Sequence, residues 1–324
     1  MKSYAEYLLL LDGQGALIPQ HELELLAGAL LDGGIPDVEL GALLATVRRP
    51  FASGHLLRSL LAALDTRVTR WRGDDRHRPV VIGCYGGATN MPNLAPLLGL
   101  LLARFDVPVL MHGPLHADQG VSTALVLREL GIMPCAQAPQ VAEELATRRL
   151  AFVPDALAAP GLAALLALRP RLGPLPLLVT AARLIDPFDC GALVIAGADS
   201  DDEIELMRGS VATNRTRVLL LRATEGEAFA NPFRRPRMEY WESGEQRILF
   251  DAAEPQARRA AALPAALDVR STAAWLRQAC DGVRAVPTPI VNQLAACLHA
   301  VGYCDDFNQA KALAAVATTR RHVA

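Results

Sequence analysis

Along the first seventy residues, apolar positions recur three and four apart and never alternate, which predicts short amphipathic helices rather than strands. The run 22–31 (ELELLAGALL) stops at Asp32-Gly33-Gly34, Pro36 and Asp37 open a second run over 38–47, and Ser53 precedes a third over 56–64. Caps and breakers therefore fall where short antiparallel helices need them. A charged stretch follows at 66–79 (TRVTRWRGDDRHRP), with a domain boundary near 70–79, and beyond it short continuous apolar runs alternate with helical ones. The runs 80–84, 107–112, 150–153, 193–196 and 218–222 predict strands, with helices over 93–105 and up to 130. Strand, helix, strand at that spacing implies a parallel sheet with right-handed crossovers. Residues 238–250 carry two strand-like runs around Ser243-Gly244-Glu245, a hairpin signature, and helices over 271–282, 289–301 and 307–317 close the chain. The fold class is α/β: a small N-terminal helical domain (1–74) beside a larger domain (75–324) whose mainly parallel sheet is flanked by helices.

Composition narrows the class. With 324 residues, 52% of them hydrophobic and 20% charged, the chain can bury a sizeable core and is not disordered. The longest apolar stretch, 94–103, is broken by Pro96 and Gly99 and falls short of the roughly 20 residues that span a bilayer. No secretory signature opens the sequence, so a cytoplasmic location without membrane contact is expected. Six cysteines are scattered without a CxxC pair, which argues against zinc and against a disulfide framework. A net charge of −2 gives no global pull toward polyanions. All but two of the 32 basic residues are nevertheless Arg, the side chain that forks onto phosphate, although a GC-rich coding bias gives the same enrichment.

Four constellations could carry chemistry. The loop Gly83-Cys84-Tyr85-Gly86-Gly87-Ala88-Thr89-Asn90 follows a strand and precedes a helix, where backbone N–H groups can meet a phosphate or simply make a tight turn. His112 and His116 stand four apart, a spacing open to metal, but no third ligand is apparent and no metal site is expected. Thr224-Glu225-Gly226-Glu227 ends a strand, where its two carboxylates are either an Mg²⁺ pair or solvated loop acids. The acidic run 199–205 reads as a helix cap. Arginines cluster at Arg169 and Arg171, Arg208, Arg215 and Arg217, and Arg234-Arg235-Pro236-Arg237; taken singly each is a solvated surface residue, and together on one face they would neutralise phosphates.

Taken together, these features resemble the anthranilate phosphoribosyltransferase family (glycosyltransferase family 3), and more specifically its divergent YbiB-type branch. Asp32-Gly33-Gly34-Ile35-Pro36-Asp37 begins the resemblance. Gly83-Cys84-Tyr85-Gly86-Gly87-Ala88 sits where the enzymes carry G-T-G-G-D-G, and Asn93-Leu94-Ala95-Pro96 where they carry N-I-S-T. Without a gap, Met111-His112-Gly113-Pro114 then replaces K-H-G-N, and the stretch 118–125 replaces S-S-K-S-G-S-A-D. The enzymes' D-G-L-D-E, whose acidic pair binds Mg²⁺, corresponds to Glu225-Gly226-Glu227-Ala228-Phe229, so the pair has become Ala228-Phe229. Resemblance to the branch lies in Asn93-Leu94-Ala95-Pro96-Leu97-Leu98, in Thr224-Glu225-Gly226-Glu227 and in Ala230-Asn231-Pro232.

The resemblance implies a nucleoside phosphorylase/phosphoribosyltransferase-like fold and a homodimer joined through the helical domain, with helices near 172–186 contributing. Several ligands of the anionic donor are lost together: Lys to Met111, Ser-Thr to Ala95-Pro96, Asp from the glycine loop. The expected function is therefore that of a non-catalytic homologue, needing no cofactor, that binds DNA or RNA without sequence preference through Arg171, Arg183, Arg208, Arg215, Arg234 and Arg235. No catalytic residue is assigned. The alternative is a phosphoribosyl or glycosyl transferase using phosphoribosyl pyrophosphate, Mg²⁺ and an aromatic acceptor such as anthranilate. Under that reading Gly83, Gly86, Gly87, Asn93 and His112 would hold phosphate, and Arg169, which falls where the enzymes bind the anthranilate carboxylate, would hold the acceptor.

Overall fold

The computed structural model describes residues 3–12, 18–47, 54–73, 76–213, 216–254 and 263–319; Ser53 and Arg215 lie outside them. Four helices come first: α1 (Tyr4–Asp12), α2 (Gln20–Leu31), α3 (Asp37–Thr46) and α4 (Gly54–Asp65). Then follow β1 (Val80–Gly83), α5 (Ala95–Ala103), β2 (Val109–Gly113), α6 (Thr123–Glu129), α7 (Ala138–Arg148) and β3 (Leu150–Pro154). A run of short helices comes next: α8 (Asp155–Ala158), α9 (Pro160–Leu166), α10 (Arg169–Leu172) and α11 (Pro176–Ala182). The rest is β4 (Leu193–Ala198), α12 (Asp201–Val211), β5 (Arg217–Arg222), β6 (Met238–Glu242), β7 (Glu245–Phe250), α13 (Val269–Cys280), α14 (Thr288–Ala300) and α15 (Phe307–Ala317).

The sheet runs β3-β2-β1-β4-β5-β6-β7. Its first five strands are parallel, and the hairpin β6–β7 adds an antiparallel edge. Strands β1 to β4 are buried on both faces, which is why they appear in the sequence as continuous apolar runs without alternation. Alternate residues feed two cores: Val80, Ile82 and Met111 pack with α5, α13 and α14, whereas Val81, Leu110 and Val194 face α4, α9 and α11. Chain order reverses between β1 and β4, so the crevice beyond their carboxyl ends is a topological switch point, where open parallel sheets hold ligands.

The helical unit has a small core of its own around Tyr7, Leu23, Leu26 and Leu43. It is also stitched to the sheet domain. Gly161 opens α9 directly against the carbonyl of Leu31, where a Cβ would stand 2.2 Å from that oxygen, so only glycine permits the approach. Trp71, in the charged connector, donates its backbone N–H to Pro187 and is nearly buried. The connector expected near 70–79 is thus partly packed, and the short helices α8 to α11, which lack any long periodic stretch, bridge the two units.

Candidate functional site

A cleft of about 1140 Å³ opens at the switch point. Its floor is Tyr85, Gly86 and Gly87 after β1, Asp199 after β4, and Glu225 and Gly226 after β5. Its wall is the segment 169–183, where Pro170, Pro174, Pro176, Leu175 and Leu177 give it an apolar face.

Two arginines reach this cleft, and both are paired. The Arg169 side chain, 14% exposed, lies 3.2 Å from Asp118 and donates from Nε to the Leu166 carbonyl. Arg183, only 3% exposed, bridges Asp199 at 2.9 Å, Glu203 at 3.1 Å and the Gly226 carbonyl at 2.9 Å. Burial works against its charge, but Asp199 and Glu203 outweigh it and hold the guanidinium pKa above its ordinary value. The sequence predicts Arg183 on a nucleic-acid-binding surface; it is instead a buried strut that ties α11 to the ends of β4 and β5. Arg208 is likewise spent on Glu239 and Glu205, and Arg235 donates to the Asp251 carbonyl while lying over the Phe250 ring. Arg171 and Arg234 are exposed. The five of the predicted arginines that lie among the described residues, Arg171, Arg183, Arg208, Arg234 and Arg235, therefore do not form one free basic face.

The expected phosphate ligands also find other work. Asn93 is fully buried: its Nδ2 donates to the Val121 carbonyl and to Thr123 Oγ1, and its Oδ1 accepts from the Ala95 N–H at the start of α5. It fixes the loop to α6 and is not available to a ligand. Helix α5 accordingly begins at Ala95, two residues later than the pattern suggests. Gly83 lies behind the cleft, with the Arg183 Cα 3.1 Å from where its Cβ would stand. Gly86 and Gly87 do line the cleft, but a Cβ on Gly86 would meet the Gly226 backbone at 2.5 Å and one on Gly87 the Gln119 carbonyl at 2.1 Å. The two glycines let three loops close on one another.

His112 is buried beneath the loop, its Nδ1 3.1 Å from the Tyr85 hydroxyl, and burial brings its pKa down to about 4, so it is neutral at pH 7. His116 is exposed, so the two do not converge on a metal. Met111, where the enzymes carry Lys, points into the core against Gly99.

The 224–227 turn departs from both expectations for it. Glu225, partly exposed at the cleft, is not simply a solvated loop acid and is not part of a carboxylate pair: it accepts the backbone N–H groups of Thr89, Asn90 and Met91. Glu227 is fully buried among Thr123, Asn93 and Cys84, and burial pushes its pKa up to about 7. Ala228 and Phe229 lie in the core. Among the described residues no group of three His, Cys, Asp or Glu side chains could hold a metal ion, and at this turn Glu225 is engaged by backbone N–H groups while Glu227 is buried, an arrangement unlike the acidic pair that the resemblance implies for a divalent ion. The acidic run at α12 does cap that helix, through Ser200 Oγ accepting the Glu203 N–H, but Asp199 and Glu203 also hold Arg183. No signal in the sequence announces these long-range pairings, nor the contact of Tyr85 with His112.

Fold and cleft together define an α/β protein of phosphoribosyltransferase-like architecture with an N-terminal helical unit. The chain is 30% identical to the uncharacterized protein YbiB of Escherichia coli (strain K12) over 275 residues, 84% of this chain and 85% of that one. It is 28% identical to the anthranilate phosphoribosyltransferase of Desulforudis audaxviator (strain MP104C) over 120 residues, 36% of this chain and 34% of that enzyme. Among solved structures, the anthranilate phosphoribosyltransferase (TrpD) of Thermus thermophilus matches with a TM-score of 0.76 at 20% identity, covering 96% of this chain and 94% of that one. The Saccharomyces cerevisiae enzyme in complex with PRPP and Mg matches with a TM-score of 0.72 at 12% identity, covering 97% and 93%. No family model matches the chain. This chain belongs to the anthranilate phosphoribosyltransferase-like family, in its divergent YbiB-type branch. No helix among the described residues is long and apolar enough to cross a membrane.

Proposed function

We propose that this chain is a non-catalytic member of its family that holds a small aromatic carboxylate in the cleft, anchored by Arg169, and that it assembles as a homodimer through the helical unit. The observation that carries the ligand class is the charge of the cleft: Arg169 and Arg183, both already paired, stand among Asp118, Asp199, Asp202, Glu203 and Glu225. A donor bearing a pyrophosphate and a phosphate meets net repulsion there, and the 224–227 turn offers no carboxylate pair to bring in a neutralising Mg²⁺. A single carboxylate on a planar apolar body is a better match. It can take the Arg169 fork in place of Asp118, whose side chain is 58% exposed, while its ring packs on the proline and leucine wall.

Thermal shift and calorimetry test this directly. Anthranilate is expected to stabilise the wild-type protein and not Arg169→Ala, whereas phosphoribosyl pyrophosphate with Mg²⁺ gives no shift. Stabilisation of a few kcal/mol by donor plus Mg²⁺, the size expected far above the dissociation constant, would overturn the proposal and restore phosphoribosyl transfer to an aromatic acceptor. The name of the Desulforudis relative favours that transferase.

Nucleic-acid binding is a second reading, supported by the exposure of Arg171, next to Pro170 and Gly173 of the cleft wall, and of Arg234. It uses the outer surface and not the acidic cleft. Single-stranded DNA at low salt should then raise the fluorescence anisotropy of a labelled strand, and the signal should fade with salt.

A further inference from the structure

The turn after β5 is a two-residue reversal, with Thr224 and Glu227 exchanging both backbone hydrogen bonds. Glu225 and Gly226 occupy its centre at φ 53° and 82°, both in the left-handed region. Gly226 suits that geometry, but a glutamate there is held in a conformation that L side chains disfavour. Something must hold it. Arg183 grips the Gly226 carbonyl from one side, and the bare Cα of Gly86 packs on Gly226 from the other. Above all, the Glu225 carboxylate accepts the N–H groups of Thr89 at 2.8 Å, Asn90 at 3.0 Å and Met91 at 3.2 Å.

Three successive backbone N–H groups converging on one carboxylate make an oxyanion nest, the arrangement by which loops bind phosphate and carboxylate groups. Partial burial works against the charge of Glu225, yet the donors of Asn90, Thr89 and Met91 hold its pKa below the ordinary carboxylate value, as a charged acceptor requires. The nest adjoins the cleft, since Glu225, Gly226, Gly86 and Gly87 all line it.

We propose that residues 89–91 form an oxyanion site which Glu225 occupies from within the chain, so that the 224–227 turn is a built-in competitor of any phosphate- or carboxylate-bearing ligand entering the cleft on that side. It rests on the reading of this cleft as the ligand site and adds a second, latched anion position opposite Arg169. An incoming oxyanion takes over the three N–H groups only when Glu225 withdraws. The latch therefore selects for ligands with one free anionic group, which Arg169 can hold, over those with two.

The test is to open the latch. Glu225→Gly removes the carboxylate at a position whose backbone conformation glycine tolerates. Formate and inorganic phosphate serve as probes. Amide exchange at residues 89–91 is expected to be faster by at least about tenfold in the variant, since hydrogen bonds to a charged acceptor are lost, and formate should slow it again. Phosphate should raise the Tm of the variant and leave the wild type unmoved. Glu225→Gln, which keeps size but not charge, is the second variant: it should bind phosphate more tightly than the wild type by about tenfold. Unchanged exchange in Glu225→Gly, or equal responses of wild type and both variants to formate and phosphate, would overturn the latch. The two proposals fail separately. Absence of anthranilate binding with formate rescue intact removes the aromatic carboxylate reading and keeps the latch; anthranilate binding without formate rescue does the reverse.

Discussion

At the residue scale, buried His112 and buried Glu227, beneath the glycine loop, have opposite effects on stability. His112 falls from 6.5 to about 4 because burial disfavours its imidazolium, so the unfolded chain binds more protons between those values. Its contribution is therefore complete above pH 6.5 and is lost as pH falls toward 4. Glu227 rises from 4.5 to about 7, again because burial disfavours its charged form. Here the folded chain binds more protons, and stability is lost as pH rises from 4.5 toward 7. Each effect is worth about 3 kcal/mol across its window, and between pH 4.5 and 6.5 they nearly cancel. We expect a nearly flat Tm for the wild type over that range. Glu227→Gln should make Tm climb with pH, and His112→Asn should make it fall, both measured by calorimetry. Three parallel profiles would show that these groups do not titrate differently in the folded state.

At the element scale, Asn93 joins three pieces of structure: the end of the glycine loop, the start of α5, and the strand-to-helix connection before α6. Asn93→Ala strands the Val121 carbonyl and Thr123 hydroxyl on one side and the Ala95 N–H on the other. The expected cost is about 2–3 kcal/mol in chemical denaturation, from a lost helix-start bond and buried groups left unsatisfied. Asn93→Asp should recover only the contact to Ala95. Sheet and flanking helices are legible in the sequence because a parallel sheet covered on both faces leaves continuous apolar runs, such as VVIG at β1 and LVIAGA at β4. Helices α8 to α11 are not, since Pro160, Pro170 and Pro176 cut the segment into pieces of four to seven residues with too few turns to show a period. The glycine loop is legible as part of the cleft because it follows β1 at the carboxyl edge of the sheet, whereas Arg169, on α10 in the cleft wall, is legible only through the family resemblance. Glu225 is legible as a strand-end carboxylate but not in what it binds: its partners lie 134 to 136 positions away, and no local spacing encodes them.

For the whole molecule, 32 basic against 34 acidic residues mean that any nucleic-acid binding must come from local exposed arginines, and several exposed ones, Arg148, Arg222, Arg237 and Arg247 among them, are already paired with carboxylates. A homodimer changes this balance, because it presents each exposed arginine twice to one strand. The helical unit carries apolar side chains suited to such an interface: Leu25 on α2 is 56% exposed and Val38 on α3 is 82% exposed. Both are outside the core, so Leu25→Glu with Val38→Glu should leave the fold within about 1 kcal/mol of the wild type while breaking the proposed dimer. Sedimentation is expected to find a dimer in the wild type and a monomer in the double variant. If nucleic acid binds as proposed, its affinity falls with salt in proportion to the phosphates neutralised, with a slope of about 0.7 per contact for a single strand. The monomeric variant should then show half the wild-type slope, not merely a weaker constant. An unchanged slope with weakened binding would place all contacts on one subunit, and a wild type that sediments as a monomer would remove the dimer from the proposal altogether.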